Sequence, residues 1–229
     1  MRRTPMGRRS DRATTRGFST AELLAGTALS LMTVGTVFTV QQAQLKAFAT
    51  QNTYSQSQTV TRTVIDLMSR EVRMAGYNPT DLALTLTVDP ACPTVQEAVI
   101  EATPTKVRIR QDLDANGVIV GAGEDVTYEL VSGELRRTDI PGTTPVVVVD
   151  HIPYSGLGFR YFNGGNPPVE LVPGGSPAAL TVCQRAAVGK VRVSIEADIP
   201  NPNPKLASTP VKSIAESEIA IRSRSLANF

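Results

Sequence analysis

The chain carries two contrasting patterns of apolar and polar residues. From Phe18 to Val40 runs an apolar stretch of 23 residues in which Glu22 is the only charged side chain. A helix of this length, at about 1.5 Å per residue, can cross the roughly 30 Å hydrocarbon core of a membrane. Beyond Tyr77 the chain changes to short alternating runs separated by Gly, Pro, Asn and Asp, which is typical of half-buried strands.

The helical pattern continues past the apolar stretch through a polar segment, residues 51–61, that has no Gly or Pro. Apolar residues then recur every three or four positions and predict one buried helix face. Gly76 and Pro79 end the pattern, so we predict one long helix from about Phe18 to Ala75. The residues of the predicted buried face are Val60, Val64, Leu67, Met68 and Val72.

The alternating runs predict a fold of the α+β class, with the long N-terminal hydrophobic helix packed through its C-terminal half on a mainly antiparallel β-sheet. Ser132-Gly133 predicts a hairpin turn, and the fully apolar run Val146–Val149 predicts an inner strand. The other predicted strands are Leu82–Val88, Lys106–Arg110, Asp125–Val131, Glu134–Thr138, Leu157–Phe162, Val188–Ala197 and Ser217–Leu226.

The basic residues are unevenly placed. Six of the 23 basic residues and one of the 21 acidic residues precede Gly17, so the remaining 17 basic and 20 acidic residues carry a net charge of about −3. This removes the main support for nucleic-acid binding, and no nucleic-acid partner is expected. Because positive charge collects before the apolar stretch, we expect a cytoplasmic N-terminus and an exported domain. The early arginines are Arg2, Arg3, Arg8, Arg9, Arg12 and Arg16.

The residues around Gly17 resemble a known processing site. Gly17-Phe18-Ser19-Thr20-Ala21-Glu22-Leu23-Leu24-Ala25 is similar to the site of type IV prepilins. The resemblance implies that a prepilin peptidase cleaves after Gly17, that the new N-terminal Phe18 is N-methylated, and that Glu22 becomes the fifth mature residue. The family more often has Thr, Leu and an aliphatic residue between the Phe and the Glu, where this chain has Ser, Thr and Ala.

A second segment resembles the helix end of PilW-like minor pilins. Arg73-Met74-Ala75-Gly76-Tyr77 matches their Arg-Met-Ala-Gly-Tyr sequence. The two resemblances imply a basic leader (1–17, removed), a membrane and polymerisation helix (18–40), an amphipathic helix half (41–76) and a β-rich periplasmic domain (77–229). They imply a minor pilin, not an enzyme, of the inner membrane and then of the pilus. Its partners would be the prepilin peptidase and other minor and major pilins.

Glu22 is the residue of the apolar stretch that requires an explanation. A carboxylate in a spanning helix costs about 2.5–3.5 kcal/mol near the membrane centre and less near the helix end, where it can remain at the interface. If Glu22 acts in filament assembly, its carboxylate pairs with the positive amine of Phe18 on a neighbouring subunit. Either charge buried alone is penalised, so the pair favours one register in a helix bundle.

Three alternatives remain open at this point. A minor pseudopilin of a type II secretion system has a similar leader and architecture. A membrane-anchored periplasmic binding or enzymatic domain that never polymerises would keep the Gly17-Phe18 bond. An ordinary secretory signal finds support in Ala47-Phe48-Ala49, which resembles a cleavage site, although the apolar stretch is too long for one; a twin-arginine signal fits worse.

Cys92 and Cys183 are the only cysteines, and neither has metal-ligand spacing. In an exported domain they could form one disulfide that closes a long loop, or remain two buried thiols.

Three oxygen-bearing side chains, Asp112, Asp114 and Asn116, alternate before Gly117 as at the start of a calcium loop. The acid that should close such a loop at its twelfth position is missing, because Glu124 comes one residue late. A polar turn with positive φ at Asn116-Gly117 is the favoured interpretation, and calcium is the alternative.

His151 is the only histidine, so any Ser-His-Asp site would have to be built on it. Its place beside Asp150 fits a polar pair at a strand end, and we predict no catalytic residue. The aromatic residues Tyr154, Phe159, Tyr161 and Phe162 are interpreted as core packing with a few surface positions.

Overall fold

The structure is a computed structural model, and it describes residues 17–78, 98–140, 142–200 and 210–222. The chain divides into two compact units, residues 1–48 and 49–229. The helices are α1 (Thr20–Met74) and α2 (Val182–Ala187). The strands are β1 (Val99–Ala102), β2 (Lys106–Arg110), β3 (Asp125–Val131), β4 (Glu134–Thr138), β5 (Val146–Val149), β6 (Leu157–Asn163), β7 (Glu170–Leu171), β8 (Val188–Ile199) and β9 (Val211–Ala220).

The long helix α1 runs without interruption through Gly26 and Gly35 and agrees with the predicted helix within two residues at each end. Its end is set by Gly76, whose φ of 73° lies in the left-handed region that glycine adopts without strain. The Gly76 N–H donates to the carbonyl of Arg110 at 2.7 Å. The chain thus leaves the helix already bonded to strand β2.

The strands form two antiparallel sheets, whereas the sequence suggested one. Five strands follow the order β1-β2-β3-β4-β5, and four follow the order β7-β6-β8-β9. The predicted hairpin turn joins β3 to β4, with positive φ at both Ser132 and Gly133. Positive φ at both central residues is the geometry of a type I′ turn, whose twist matches that of the flanking strands.

Several strand predictions need correction. The valine run 146–149 forms β5 at the edge of the five-stranded sheet, with Val146 65% exposed, and is not an inner strand. The last predicted strand begins six residues too late, since β9 starts at Val211. The sequence patterns also missed β1, β7 and α2. The predicted strand Leu82–Val88 lies outside the described residues.

The core of residues 49–229 is one cluster to which α1 and both sheets contribute. Val64, Met68 and Val72 of the predicted helix face are buried, and Ile65 joins them. The prediction is wrong for Val60 and Leu67, which are exposed. Burial of each such aliphatic side chain is worth roughly 1.5–3 kcal/mol. The second half of α1 is therefore held on the sheets by hydrophobic packing.

A polar network also joins α1 to the five-stranded sheet. The carboxylate of Glu71 accepts a hydrogen bond from the fully buried Tyr128 hydroxyl at 2.5 Å and from the Arg137 guanidinium at 2.7 Å. Arg137 also contacts Asp139 at 2.8 Å, and Asp139 accepts the Gly123 N–H at 2.8 Å. These contacts run from the helix across β3 and β4 to the loop that precedes β3.

Candidate functional site

The first half of α1 is an apolar helix that nothing in the described part of its own unit covers. Its most hydrophobic 18-residue window has a mean hydropathy of 1.8 and no buried residue. Leu31, Met32 and Phe48 are each more than 65% exposed. By length and composition this helix can serve as a membrane anchor, and it is the candidate spanning helix among the residues that the structure describes.

Glu22 lies in the first turn of this helix and takes part in capping it. Its carboxylate accepts the backbone N–H of Ser19 at 3.0 Å, while the Ser19 hydroxyl accepts the N–H of Ala21 at 3.3 Å. The pair Ser19 and Glu22 has the Ser-x-x-Glu spacing of a capping box. This capping signal is present in the sequence, whereas the prepilin resemblance concerns Glu22 and not Ser19. Glu22 thus stabilises its own helix terminus in addition to any role in assembly.

The predicted processing residues come directly before α1. Gly17 is described, and no heavy atom of the described residues outside its chain neighbours lies within 4 Å of the position that a Cβ would occupy. Phe18 follows with 88% of its surface exposed. The remainder of the predicted leader, residues 1–16, lies outside the described residues, so cleavage and methylation stay predictions.

The loop between β2 and β3 is organised by two buried carboxylates. Glu124, 1% exposed, accepts the backbone N–H groups of Leu113 (3.0 Å) and Gly121 (2.6 Å), with longer bonds from Asp114 and Val120. Burial raises the pKa of Glu124, but these amide donors outweigh burial and hold the pKa below its ordinary value. Backbone donors therefore compensate the charge of Glu124.

Asp112 accepts backbone N–H groups in the other half of this loop. Its two oxygens accept the N–H groups of Asn116 at 3.2 Å and Gly117 at 2.9 Å. The polar turn predicted here is present, but its positive φ values belong to Ala115 (61°) and Gly117 (79°), and not to Asn116. Ala115 adopts the left-handed region because the bonds to Asp112 close the turn around it.

The acidic side chains of this loop also meet a geometric requirement for a cation. One oxygen each from Asp112, Asp114 and Glu124 lies within 4.8 Å of the others. Carboxylate oxygens are the ligands that Ca²⁺ prefers. Glu124 belongs to this cluster although it lies one residue after the twelfth position of a calcium loop. Asn116 instead donates hydrogen bonds to Asp112 and Asp114. Calcium binding at Asp112, Asp114 and Asn116 stays a prediction.

His151 and Asp150 form the polar pair that the sequence predicts, with 3.2 Å between His151 Nδ1 and Asp150 Oδ1. Both residues line a cavity that also includes Ser57. The Ser57 hydroxyl has no hydrogen-bond partner among the described residues, so the serine–histidine hydrogen bond of a catalytic triad is not formed there.

Cys183 lies in α2 and is disulfide-bonded. Cys92 lies outside the described residues, so the pairing of Cys92 with Cys183 stays a prediction.

The aromatic cluster divides as expected between core and surface. Phe159 and Tyr161 are buried, whereas Tyr154 is 93% exposed. Phe162 lies under the guanidinium of Arg192, 5.2 Å from its ring centroid, which is a cation–π distance.

The chain resembles known proteins in structure and not in sequence. No protein-family model matches the chain, and no curated protein sequence matches it. Among solved structures, a type IV-like pilin from Thermus thermophilus is similar, with 13% sequence identity and a TM-score of 0.37. The match covers 72% of this chain and 96% of that chain.

Proposed function

We propose that this chain is a pilin-like subunit, and more specifically a minor pilin that takes part in the assembly, initiation or capping of a type IV pilus. In this proposal a prepilin peptidase removes residues 1–17 and the new N-terminal Phe18 is methylated. The helix 18–40 holds the subunit in the inner membrane, with residues 77–229 in the periplasm, until it joins the filament through other pilins.

The observation that carries the proposal is the uncovered apolar half of α1, which starts two residues after Phe18 and carries Glu22 in its first turn. An exposed apolar helix of this size needs either lipid or other apolar helices around it. A subunit that moves from a bilayer into a helix bundle meets both requirements with the same surface. Glu22 then supplies what a plain membrane anchor does not need, namely a charge that can pair with the amine of a neighbouring Phe18.

The proposal is tested first by the N-terminus of the mature protein. Mass spectrometry of the membrane-extracted chain is expected to find a protein that begins at N-methylated Phe18. The matched control is Gly17→Ala at the residue before the cleaved bond, which should leave the leader attached. A mature chain that begins at Thr50 would instead identify a secretory signal, and an intact Gly17-Phe18 bond would identify a non-polymerising membrane protein.

The second test asks which filament contains the processed chain. Sheared surface pili are expected to contain it at low abundance beside a major pilin. Recovery only with the components of a type II secretion system would make the chain a minor pseudopilin. Absence from both fractions, with normal processing, would contradict an assembly role.

A further inference from the structure

Two Asn-Gly pairs lie in loops of residues 49–229, Asn116-Gly117 and Asn163-Gly164. In such a pair the glycine nitrogen can lose its proton to the solvent and attack the side-chain amide carbon of the asparagine, because glycine has no Cβ to hinder the approach. The new N–C bond closes a succinimide ring, and the asparagine Nδ2 takes up a proton and leaves as ammonia. Water then opens the ring to aspartate or isoaspartate, and nothing is oxidised or reduced.

The loop around Asn116 restrains both groups that would have to react. The Gly117 N–H donates to Asp112 Oδ2 at 2.9 Å, and Asp112 is fully buried. Attack requires this N–H to lose its proton, and the adjacent carboxylate opposes the negative charge that would develop on the nitrogen. The Asn116 amide is held as well, because its Nδ2 donates to Asp114 Oδ2 at 2.7 Å. The structure therefore protects Asn116 from this reaction.

The surroundings of Asn163 favour the same reaction. Gly164 is exposed, and none of the described residues accepts a hydrogen bond from its N–H. Asn163 Oδ1 accepts the N–H groups of Gly165 at 3.2 Å and Val169 at 2.8 Å. The bond to the residue two positions on is that of an Asx-turn, which folds the side chain over the intervening peptide. Both donors also point at the oxygen on which negative charge develops during the attack, as the donors of an oxyanion hole do.

We propose that Asn163 is a site of spontaneous deamidation in the folded protein, with water as the only co-reactant, whereas Asn116 is protected. Asn163 is the last residue of β6, and its own N–H donates to the Val169 carbonyl at 2.9 Å. Isoaspartate would insert a methylene group into the main chain at this point and add a carboxylate, so we expect the pairing of β6 with β7 to loosen. The site does not depend on cleavage or assembly, so it holds or fails independently of the proposed function.

The test follows both asparagines in one sample of the full-length protein in nanodiscs, incubated in mildly alkaline buffer. Mass spectrometry of tryptic peptides, taken at intervals, measures the conversion of each amide to an acid. Asn163 is expected to convert at least about tenfold faster than Asn116, the rate equivalent of one hydrogen bond to a charged group. Asn166 is an internal control in the same peptide as Asn163, because the nitrogen of Pro167 carries no hydrogen and cannot close the ring.

Two comparisons show whether the fold causes the difference. In urea the two rates should converge, because both asparagines precede glycine and the surrounding contacts are lost. Asp112→Asn removes the carboxylate that faces the Gly117 N–H, so it should accelerate conversion of Asn116 and leave the rate at Asn163 unchanged. Equal rates at Asn163 and Asn116 in the folded protein, or a faster rate at Asn116, would overturn the proposal. The same tenfold difference in urea would also overturn it, since the difference would then not come from the structure.

Discussion

At the scale of single residues, Glu22 combines a local and an intermolecular role. Its carboxylate bonds to the Ser19 N–H at the helix start, and glutamine can replace glutamate in that bond. Glu22→Gln therefore retains the cap while removing the charge. We expect unchanged membrane insertion and cleavage, and a loss of incorporation into filaments, because an unpaired buried charge costs about 3–5 kcal/mol. Mature N-terminus and amount in sheared filaments are the two measurements.

Ser19→Ala is the matched control for Glu22→Gln, because it removes the other half of the cap and leaves the charge. It should cost about 0.5–2 kcal/mol of local helix stability with incorporation largely retained. If Glu22→Gln assembles as well as wild type, the carboxylate serves the cap alone and the pairing mechanism is wrong.

Glu71 is the residue whose loss should weaken the folded unit most directly. It bonds both Tyr128 and Arg137 and is 14% exposed at its side chain. Burial and the Glu71 charge together raise the pKa of Tyr128, so the tyrosine stays neutral and donates. Glu71→Gln should lower the free energy of unfolding by about 2–3 kcal/mol, below the 3–5 kcal/mol of a fully buried pair. Urea unfolding measures the change.

Glu134→Gln provides the comparison for this substitution. Glu134 pairs with Arg136 at 2.8 Å, but both side chains are about one-third exposed, so its loss should cost less than 1 kcal/mol. Similar costs for the two variants would contradict a special role for the Glu71 network in holding α1.

At the scale of elements, the loop between β2 and β3 should respond to pH through Glu124. Its pKa is lowered in the folded protein, so its contribution is complete above the ordinary value of 4.5 and is lost as the pH falls through the lowered folded value. Glu124→Gln replaces one accepting oxygen by an NH₂ group that faces N–H donors, at a cost of about 1–3 kcal/mol.

The measurement is urea unfolding at pH values from 7 down to 3. Wild type should lose stability below pH 4.5 more steeply than Glu124→Gln, which starts lower. Glu129→Gln, at an acid whose side chain is 44% exposed, should follow the wild-type slope. Parallel slopes for wild type and Glu124→Gln would show that the loop does not depend on this ionisation.

The sequence predicts β2, β3 and β4 to the residue, because alternation and turn residues are local signals. It cannot tell how strands are partnered. The valine run of β5 has the composition of an inner strand, yet within residues 98–140, 142–200 and 210–222 it pairs with β4 alone. In β9, Ile214 is 68% exposed and lies on the same side as Glu216 and Glu218, so the alternation of apolar and polar residues predicts a strand only from Ser217.

The candidate sites, like the strands, are predicted from the sequence only where the signal is local. Ser19-x-x-Glu22 is a local signal and could have been read from the sequence. The bond between Glu71 and Tyr128 joins residues 57 positions apart, and no local pattern indicates it. Glu124 does not match the fixed spacing of a calcium loop, but in the structure its carboxylate bonds to backbone amides of residues 113 to 121.

At the scale of the whole molecule, the basic residues near the N-terminus, the apolar stretch and the acidic remainder follow one another along the chain. The net charge of +2 depends on the arginines before Gly17, and the chain after that residue carries about −3. The two units also differ in what stabilises them. Residues 49–229 have a core of their own, while the apolar helix of residues 20–48 needs an environment from outside the chain. The proposed cleavage after Gly17 would remove the six arginines that precede the apolar stretch. In the proposal, this stretch then leaves the membrane and enters the filament.

The disulfide of Cys183 with Cys92 would join residues that are far apart in the sequence. Cys183 is disulfide-bonded in α2, where the neighbouring Ala186 is buried and Leu180 bonds to Ala102 of β1 at 2.9 Å. The bond therefore restrains a short helix that already contacts the five-stranded sheet. Non-reducing peptide mapping should recover Cys92 linked to Cys183, since these are the only cysteines. A double Cys→Ala variant should unfold about 2–5 kcal/mol more easily, as expected for a loop of roughly 90 residues. Reduced wild type is the control and should match that variant. Quantitative alkylation of both thiols in the native, unreduced protein would contradict the bond.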